Sequence, residues 1–172
     1  MTQTLDLGLL LFRIVVGVVF IAHGYNHIFG GGKIKGTAGW FESLGMRPGV
    51  VHAWMASLVE LGAGALLILG LLTPLAGAGV VGVMLVAWIT NHRKNGFFIF
   101  RPGEGYEYVM TLTFAGLMFC FTGGGAFSID ALIGLWVPPD WPVALICAAL
   151  GIVGAAGLLV VFWRPAAVTS KS

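Results

Sequence analysis

The sequence predicts an all-α fold, a polytopic membrane helical bundle with five spans. Three observations predict it. The 172 residues are 58% hydrophobic and 9% charged, with Gly at 27 positions, and the mean hydropathy is +0.96. Soluble domains carry about 25% charged residues, so a freely soluble globule is excluded. Five apolar stretches approach the ~20 residues that cross a bilayer as a helix. Eight of the nine basic residues fall on alternate connections and the C-terminal tail, and the ninth, Arg13, lies within the first stretch. A net charge of +2 with scattered Lys and Arg leaves no footprint for nucleic acid.

The first span runs from about Leu7 to His27 and carries Arg13. The second, from about Val51 to Leu72, carries Glu60. The third runs from about Leu75 to Thr90, so only Thr73 and Pro74 separate it from the second. That is a tight helical hairpin, with Pro suited to the first turn of the next helix. The fourth runs from about Gly105 to Thr122, and the fifth from about Val143 to Trp163. Connection 28–50 holds an amphipathic piece, Trp40-Phe41-x-x-Leu44-x-Met46, expected to lie as a short helix among the headgroups. Connection 123–142 opens with Gly123-Gly124-Gly125 and contains Pro138-Pro139 and Pro142, which is loop chemistry. Trp136, Trp141 and Trp163 sit near span ends, as interfacial aromatics do.

Five spans place Lys33, Lys35, Arg47, Arg93, Lys94, Arg101, Arg164 and Lys171 on one side and no Lys or Arg on the other. The positive-inside rule then puts the N-terminus outside and the C-terminus in the cytoplasm of a multi-pass protein of a bacterial cytoplasmic (inner) membrane. The first stretch lacks a basic leader region and holds Asp6 and Arg13, so a cleaved signal peptide is not expected.

An ionisable residue within a span costs about 2.5–3.5 kcal/mol on insertion scales and should face the bundle or a wet cavity. Arg13, Gly17, Phe20, Gly24 and His27 fall on one helical stripe, and Ala53, Ala56, Glu60 and Gly64 form another. Antiparallel packing puts Arg13 in the outer half and Glu60 near the midplane, and the long Arg side chain is expected to close the gap. The pair reads either as an ion pair orienting two helices or as a polar pocket for a headgroup such as a quinone, or a proton relay.

His23, His27, His52 and His92 share one level at the cytoplasmic edge, joined there by Asn26, Asn91 and Glu107. Three readings stand: ordinary interfacial polarity, a quinone or other small-ligand site, and a haem or metal site. His23 and His27 are four apart on one helix, as a chelating pair would be, but no matching second pair follows. His52 looks too near the surface to serve as a haem ligand. The polar seam of candidate ligand-binding residues is Arg13, His23, His27, Glu60 and Glu107, with no metal site expected. Cys120 and Cys147 read as buried small apolar residues, with a disulfide open. Gly151, Gly154 and Gly157 form a small-residue stripe on the last span, suited to the bundle or to partner membrane subunits.

The order and spacing of these residues resemble the DoxX family of small bacterial membrane proteins. The first span is similar to that family's Arg…Gly…Phe…His-Gly-x-x-Lys run, here Arg13, Gly17, Phe20, His23-Gly24 and, in place of Lys, His27. Glu60, Gly64, Leu69-Gly70-Leu71 and Thr73 match its second-span pattern. Asn95-Gly96-Phe97-Phe98, Gly105-Tyr106-Glu107-Tyr108 and Gly123–Gly125 leading to Ser128-Ile129-Asp130 follow. The resemblance covers about residues 5–132 and implies a four-helix bundle. Residues 1–132 are therefore read as the DoxX-like unit, and 133–172 as a loop, a fifth transmembrane helix and a short tail.

The resemblance implies an accessory subunit of a respiratory or redox complex, since the family takes its name from a subunit associated with thiosulfate:quinone oxidoreductase or terminal oxidase systems. No nucleotide fingerprint, flavin motif or Fe–S ligand set stands in the sequence, and no covalently bound cofactor is expected. Redox chemistry would need a bound quinone or a partner that carries the cofactor. The alternatives are a structural scaffold without ligand, and a small-molecule or proton carrier. The chain carries no self-contained catalytic motif, so at most it is an oxidoreductase subunit.

Overall fold

The computed structural model describes residues 3–135 and 140–165. Trp136 at a span end, the Pro138-Pro139 pair and Lys171 of the tail lie outside the described residues. The chain folds as α1 (Gln3–Phe29), α2 (Lys33–Ser43), α3 (Gly49–Leu69), α4 (Thr73–Ala87), α5 (Glu107–Thr122), α6 (Ile129–Leu132) and α7 (Trp141–Phe162). The described residues are helical and hold no sheet; Met46 and Trp163 form a lone antiparallel bridge.

Four helices are long and apolar enough to cross a membrane: α1, α3, α7, and α4 with its helical continuation to Asn95. α5 is shorter, at 16 residues. At 1.5 Å per residue it spans about 24 Å, against a hydrocarbon core of about 30 Å. The second span stops earlier than expected. Gly70 takes a left-handed conformation (φ 64°) and ends α3 at Leu69, and α4 starts at Thr73 with Pro74 in its first turn. The connection after α5 is not wholly loop. Ser128 caps α6 by accepting from the Ala131 N–H, which sets Asp130 in the interior.

Two helix pairs are locked by facing glycines. A Cβ built on Gly17 of α1 would stand 2.7 Å from the Gly64 carbonyl oxygen of α3, and one on Gly64 would stand 2.7 Å from the Gly17 carbonyl oxygen. α4 and α5 repeat the device, with Gly77 and Gly116 each against the other's carbonyl at 2.6 and 2.9 Å. Within lipid there is little hydrophobic drive between helices, so backbone approach of this kind supplies the packing. Gly64→Val is expected to cost about 1–3 kcal/mol by overpacking. Unfolding in detergent checks this; a variant as stable as wild type would mean that α1 and α3 can separate freely.

α7 packs chiefly on α4 and meets α3 only at the basic end, where Phe162 and Leu159 lie against His52 and Ala53. A Cβ on Gly151 would stand 2.6 Å from the Ala78 carbonyl oxygen of α4, so this member of the α7 glycine stripe is used within the chain. Gly154 and Gly157 face open space. Cys120 and Cys147 are buried free thiols in one small cluster with Ala78 and Ala148. The central core gathers Val16, Phe20, Leu67, Val80 and Phe119 from α1, α3, α4 and α5.

Candidate functional site

The expected pairing of Arg13 with Glu60 does not occur. Arg13 is fully buried, at 0% exposure. Its Nη1 donates to the Leu67 carbonyl oxygen at 2.8 Å and reaches that of Ile68 at 3.4 Å, while Nη2 donates to the Phe127 carbonyl oxygen. A cation at the carbonyl end of α3 meets the negative end of the helix dipole, and it adds a side-chain donor to the Leu67 carbonyl, which also accepts from the Gly70 N–H at 3.1 Å. Across the same turn Asp130 accepts from the Leu72 and Thr73 N–H groups at 2.7 and 2.9 Å, at the start of α4. Asp6 accepts from the Ala126 N–H at 2.9 Å. These charges clamp the α3–α4 hairpin to the α5–α6 connection, and Arg13 does not line the cavity that Glu60 faces.

That cavity, about 600 Å³, lies toward the end of the bundle that carries the basic residues. Its polar wall includes His23, His27, His52, Glu60, His92 and Tyr108. His27 Nδ1 stands 3.0 Å from Glu60 Oε2, within ion-pair range. The pair is off the line of a hydrogen bond, and neither atom has another protein partner. Glu60 is 4% exposed. Tyr108 Oη is 3.3 Å from His23 Nε2 and bridges α5 to α1.

His52 belongs to this site although its position in the sequence placed it at the surface. It is 1% exposed, and no hydrogen bond reaches either ring nitrogen. α2 is the reason. The amphipathic segment forms a helix whose Thr37 hydroxyl donates to the His27 carbonyl at 2.8 Å, and its buried Phe41 lies against both His27 and His52. Phe162 of α7 meets the His52 ring edge-on, with centroids 5.1 Å apart. The signal was present in Phe41 on α2 and Met46 just beyond it, apolar residues of an amphipathic segment that had to cover something.

A π-helical turn, Trp88–His92, follows α4. One extra residue in a turn rotates the next side chains by about 100° around the axis, and such turns often mark functional positions. Thr90, Asn91 and His92 all line the cavity. His92 Nδ1 donates to the Glu104 carbonyl oxygen at 2.9 Å, and the Asn91 side-chain amide donates to Nε2 at 3.3 Å. The Glu104 carbonyl can only accept, so Nδ1 carries a proton. Glu107 is used differently from expectation. Its carboxylate accepts from the Ile99 N–H at 2.9 Å and holds the loop after α4 onto α5. It does not line the cavity, whereas the neighbouring Glu104 does.

From this polar end an apolar cleft runs along α4 between α3 and α7. Gly79, Gly82, Val83 and Val86 form its floor, and Met55 and Leu150 stand on its sides. At the basic end it is closed by backbone stitching. Arg47 N–H donates to the Phe162 carbonyl at 3.3 Å, and Arg164 N–H to that of Gly45 at 2.8 Å. The Trp163 indole N–H donates to the Leu44 carbonyl at 2.9 Å. Among the described residues no group of three or more His, Cys, Asp or Glu side chains is set to hold a metal ion.

A bundle of apolar helices with buried ionisable groups gathered at one end of an apolar cleft defines a polytopic helical membrane protein with an internal cavity that is polar at one end and apolar along its length. The DoxX family profile matches residues 8–93, which span α1 to the end of the π turn. The chain belongs to the DoxX family. It is 27% identical over 133 residues to "Putative oxidoreductase CatD" of Bacillus subtilis (strain 168), covering 77% of this chain and 92% of that protein. It is 30% identical over 131 residues to "Inner membrane protein YqjF" of Escherichia coli (strain K12), covering 74% of this chain and 93% of that protein. No solved structure matches it significantly.

Proposed function

We infer that this protein is an accessory subunit of a redox complex in a bacterial inner membrane, and that its cavity receives a quinone headgroup. The observation that carries the reading is His52, deeply buried on the cavity wall with both ring nitrogens unpartnered. A buried polar group without a hydrogen bond costs on the order of 1–3 kcal/mol, and a ligand offering polar atoms would recover that. A quinone offers carbonyl oxygens, which can accept from ring N–H groups of His52 and His27 and from the Tyr108 hydroxyl. Glu60 lies beside His27 and supports it as a donor. The names of the relatives support a redox setting and the inner membrane, one being "Putative oxidoreductase CatD" and the other "Inner membrane protein YqjF". Electrons would come from a partner subunit carrying a redox group.

Trp40 lines the cavity and provides a reporter. In detergent, a soluble benzoquinone is expected to quench it saturably in the wild type. Glu60→Gln is expected to weaken that binding about tenfold, the scale of one charge-assisted hydrogen bond. Absence of saturable quenching in the wild type overturns the reading. Unchanged affinity in Glu60→Gln removes the carboxylate from it.

A further inference from the structure

We propose that the cleft between α3 and α7 is a lateral entry groove for the hydrocarbon tail of the quinone, and that its open glycines set which tails it accepts. This rests on the reading of the polar end as a headgroup site. The observation that points to a ligand there is His52, 1% exposed on the cavity wall with neither ring nitrogen hydrogen-bonded; Glu60 on the same wall, 4% exposed, has only His27 within ion-pair range of Oε2. The groove is continuous with those groups, since the same cavity reaches from His52 past Gly82 to Leu75 at the far end of α4. A headgroup held at His52 and Glu60 therefore points its substituent along α4.

The route is sideways, from the hydrocarbon. At the basic end the cleft is shut by the Met46–Trp163 bridge and by the packing of Met46, Ala53 and Leu159. Further along, α3 and α7 diverge and α4 forms the floor between them. The rim there is apolar and exposed, with Met55 of α3 and Leu150 of α7 both open. The shape of the groove comes from missing side chains. A Cβ on Gly154 meets nothing within 4 Å, and one on Gly82 meets only the Gly151 carbonyl at 3.6 Å, an ordinary contact. Helix packing therefore does not require glycine at either position. By contrast, Gly151 on the same helix could not accept a Cβ without displacing α4. In the membrane a prenyl or alkyl tail gains little from leaving one apolar medium for another. The groove acts by shape, admitting an unbranched or flexible chain and directing the headgroup to the polar wall.

The test compares two probes, a benzoquinone bearing a decyl chain and the same headgroup without a chain, on the purified full-length protein in detergent. Gly154→Leu fills the groove from a position that touches no neighbour. It is expected to weaken the decyl quinone at least tenfold while leaving the chainless quinone unchanged. Gly157→Leu makes the same change on the same helix outside the cleft and is expected to alter neither; an unchanged melting temperature in both variants confirms that each folds. Equal affinity of wild type and Gly154→Leu for the decyl quinone overturns the groove, as does an equal loss in Gly157→Leu. Displacement of the decyl quinone by a phospholipid at comparable concentration also overturns it, because the groove would then be a general acyl site. If neither probe binds the wild type, the headgroup reading fails, and the groove assignment fails with it.

Discussion

Replacing Arg13 with methionine is expected to destabilise the folded bundle by about 3–5 kcal/mol, the scale of several charge-assisted bonds and the orphaned groups they leave. The guanidinium is wholly enclosed and serves carbonyls from two separate segments, the end of α3 and the connection before α6. Methionine matches the stem of the side chain and none of its donors. The Leu67 carbonyl, also buried in the interior, would lose its side-chain donor. Lysine keeps the charge but presents one ammonium where a planar fork served two directions, so Arg13→Lys should recover only part of the loss. Denaturant or thermal unfolding in detergent measures both variants. A methionine variant within 1 kcal/mol of wild type, on the order of a surface substitution, would show that the clamp is dispensable. Because Arg13 is absent from the cavity wall, any folded fraction of the variant should bind quinone as the wild type does. Lost binding in a fully folded variant would return Arg13 to the site.

His52→Phe should act in the opposite sense on stability and abolish function. The ring is enclosed by Phe41 and Phe162 and bonded to nothing through its nitrogens. A phenyl ring has similar volume and carries no polar atoms, so it relieves a desolvation cost of about 1–3 kcal/mol. The variant is expected to unfold at higher temperature than the wild type and to lose saturable quinone quenching. Such a trade is common where a site keeps polar groups ready for a ligand. A destabilised variant would mean that the nitrogens of His52 are satisfied in solution. A stabilised variant that still binds would move the headgroup to His27 and Glu60 alone.

Much of the fold could be read from composition and order. Hydropathy located the helices because lipid leaves a spanning chain no other way to satisfy its backbone. The Thr73-Pro74 hairpin, the short amphipathic helix and the two stripes holding Gly17 and Gly64 come from local chemistry. Boundaries moved where one backbone conformation decided them, as at Gly70. The polar seam was only half visible. His23, His27 and Glu60 do meet at one cavity, because their positions along antiparallel helices set their depth. Arg13 and Glu107 share stripes or levels with them, yet each is taken up by a main-chain group that periodicity does not reveal. His52 was hidden for the reverse reason. Its position along the helix indicated an exposed end, and only the cover of α2 and α7 buried it.

The sequence by itself determined that this chain is a membrane helical bundle of the DoxX family and which residues share a face or a level along its helices. Those properties come from hydropathy, helical period and residue order, all one-dimensional. Only the tertiary structure decided which charge meets which partner. Arg13 found carbonyls from Leu67 and Phe127, 54 and 114 residues away along the chain. The cleft likewise exists because α7 docks on α4 through Gly151 and reaches α3 only at the basic end. A buried charge takes whatever oppositely polarised groups the packing brings within about 3 Å, and that choice is made in three dimensions.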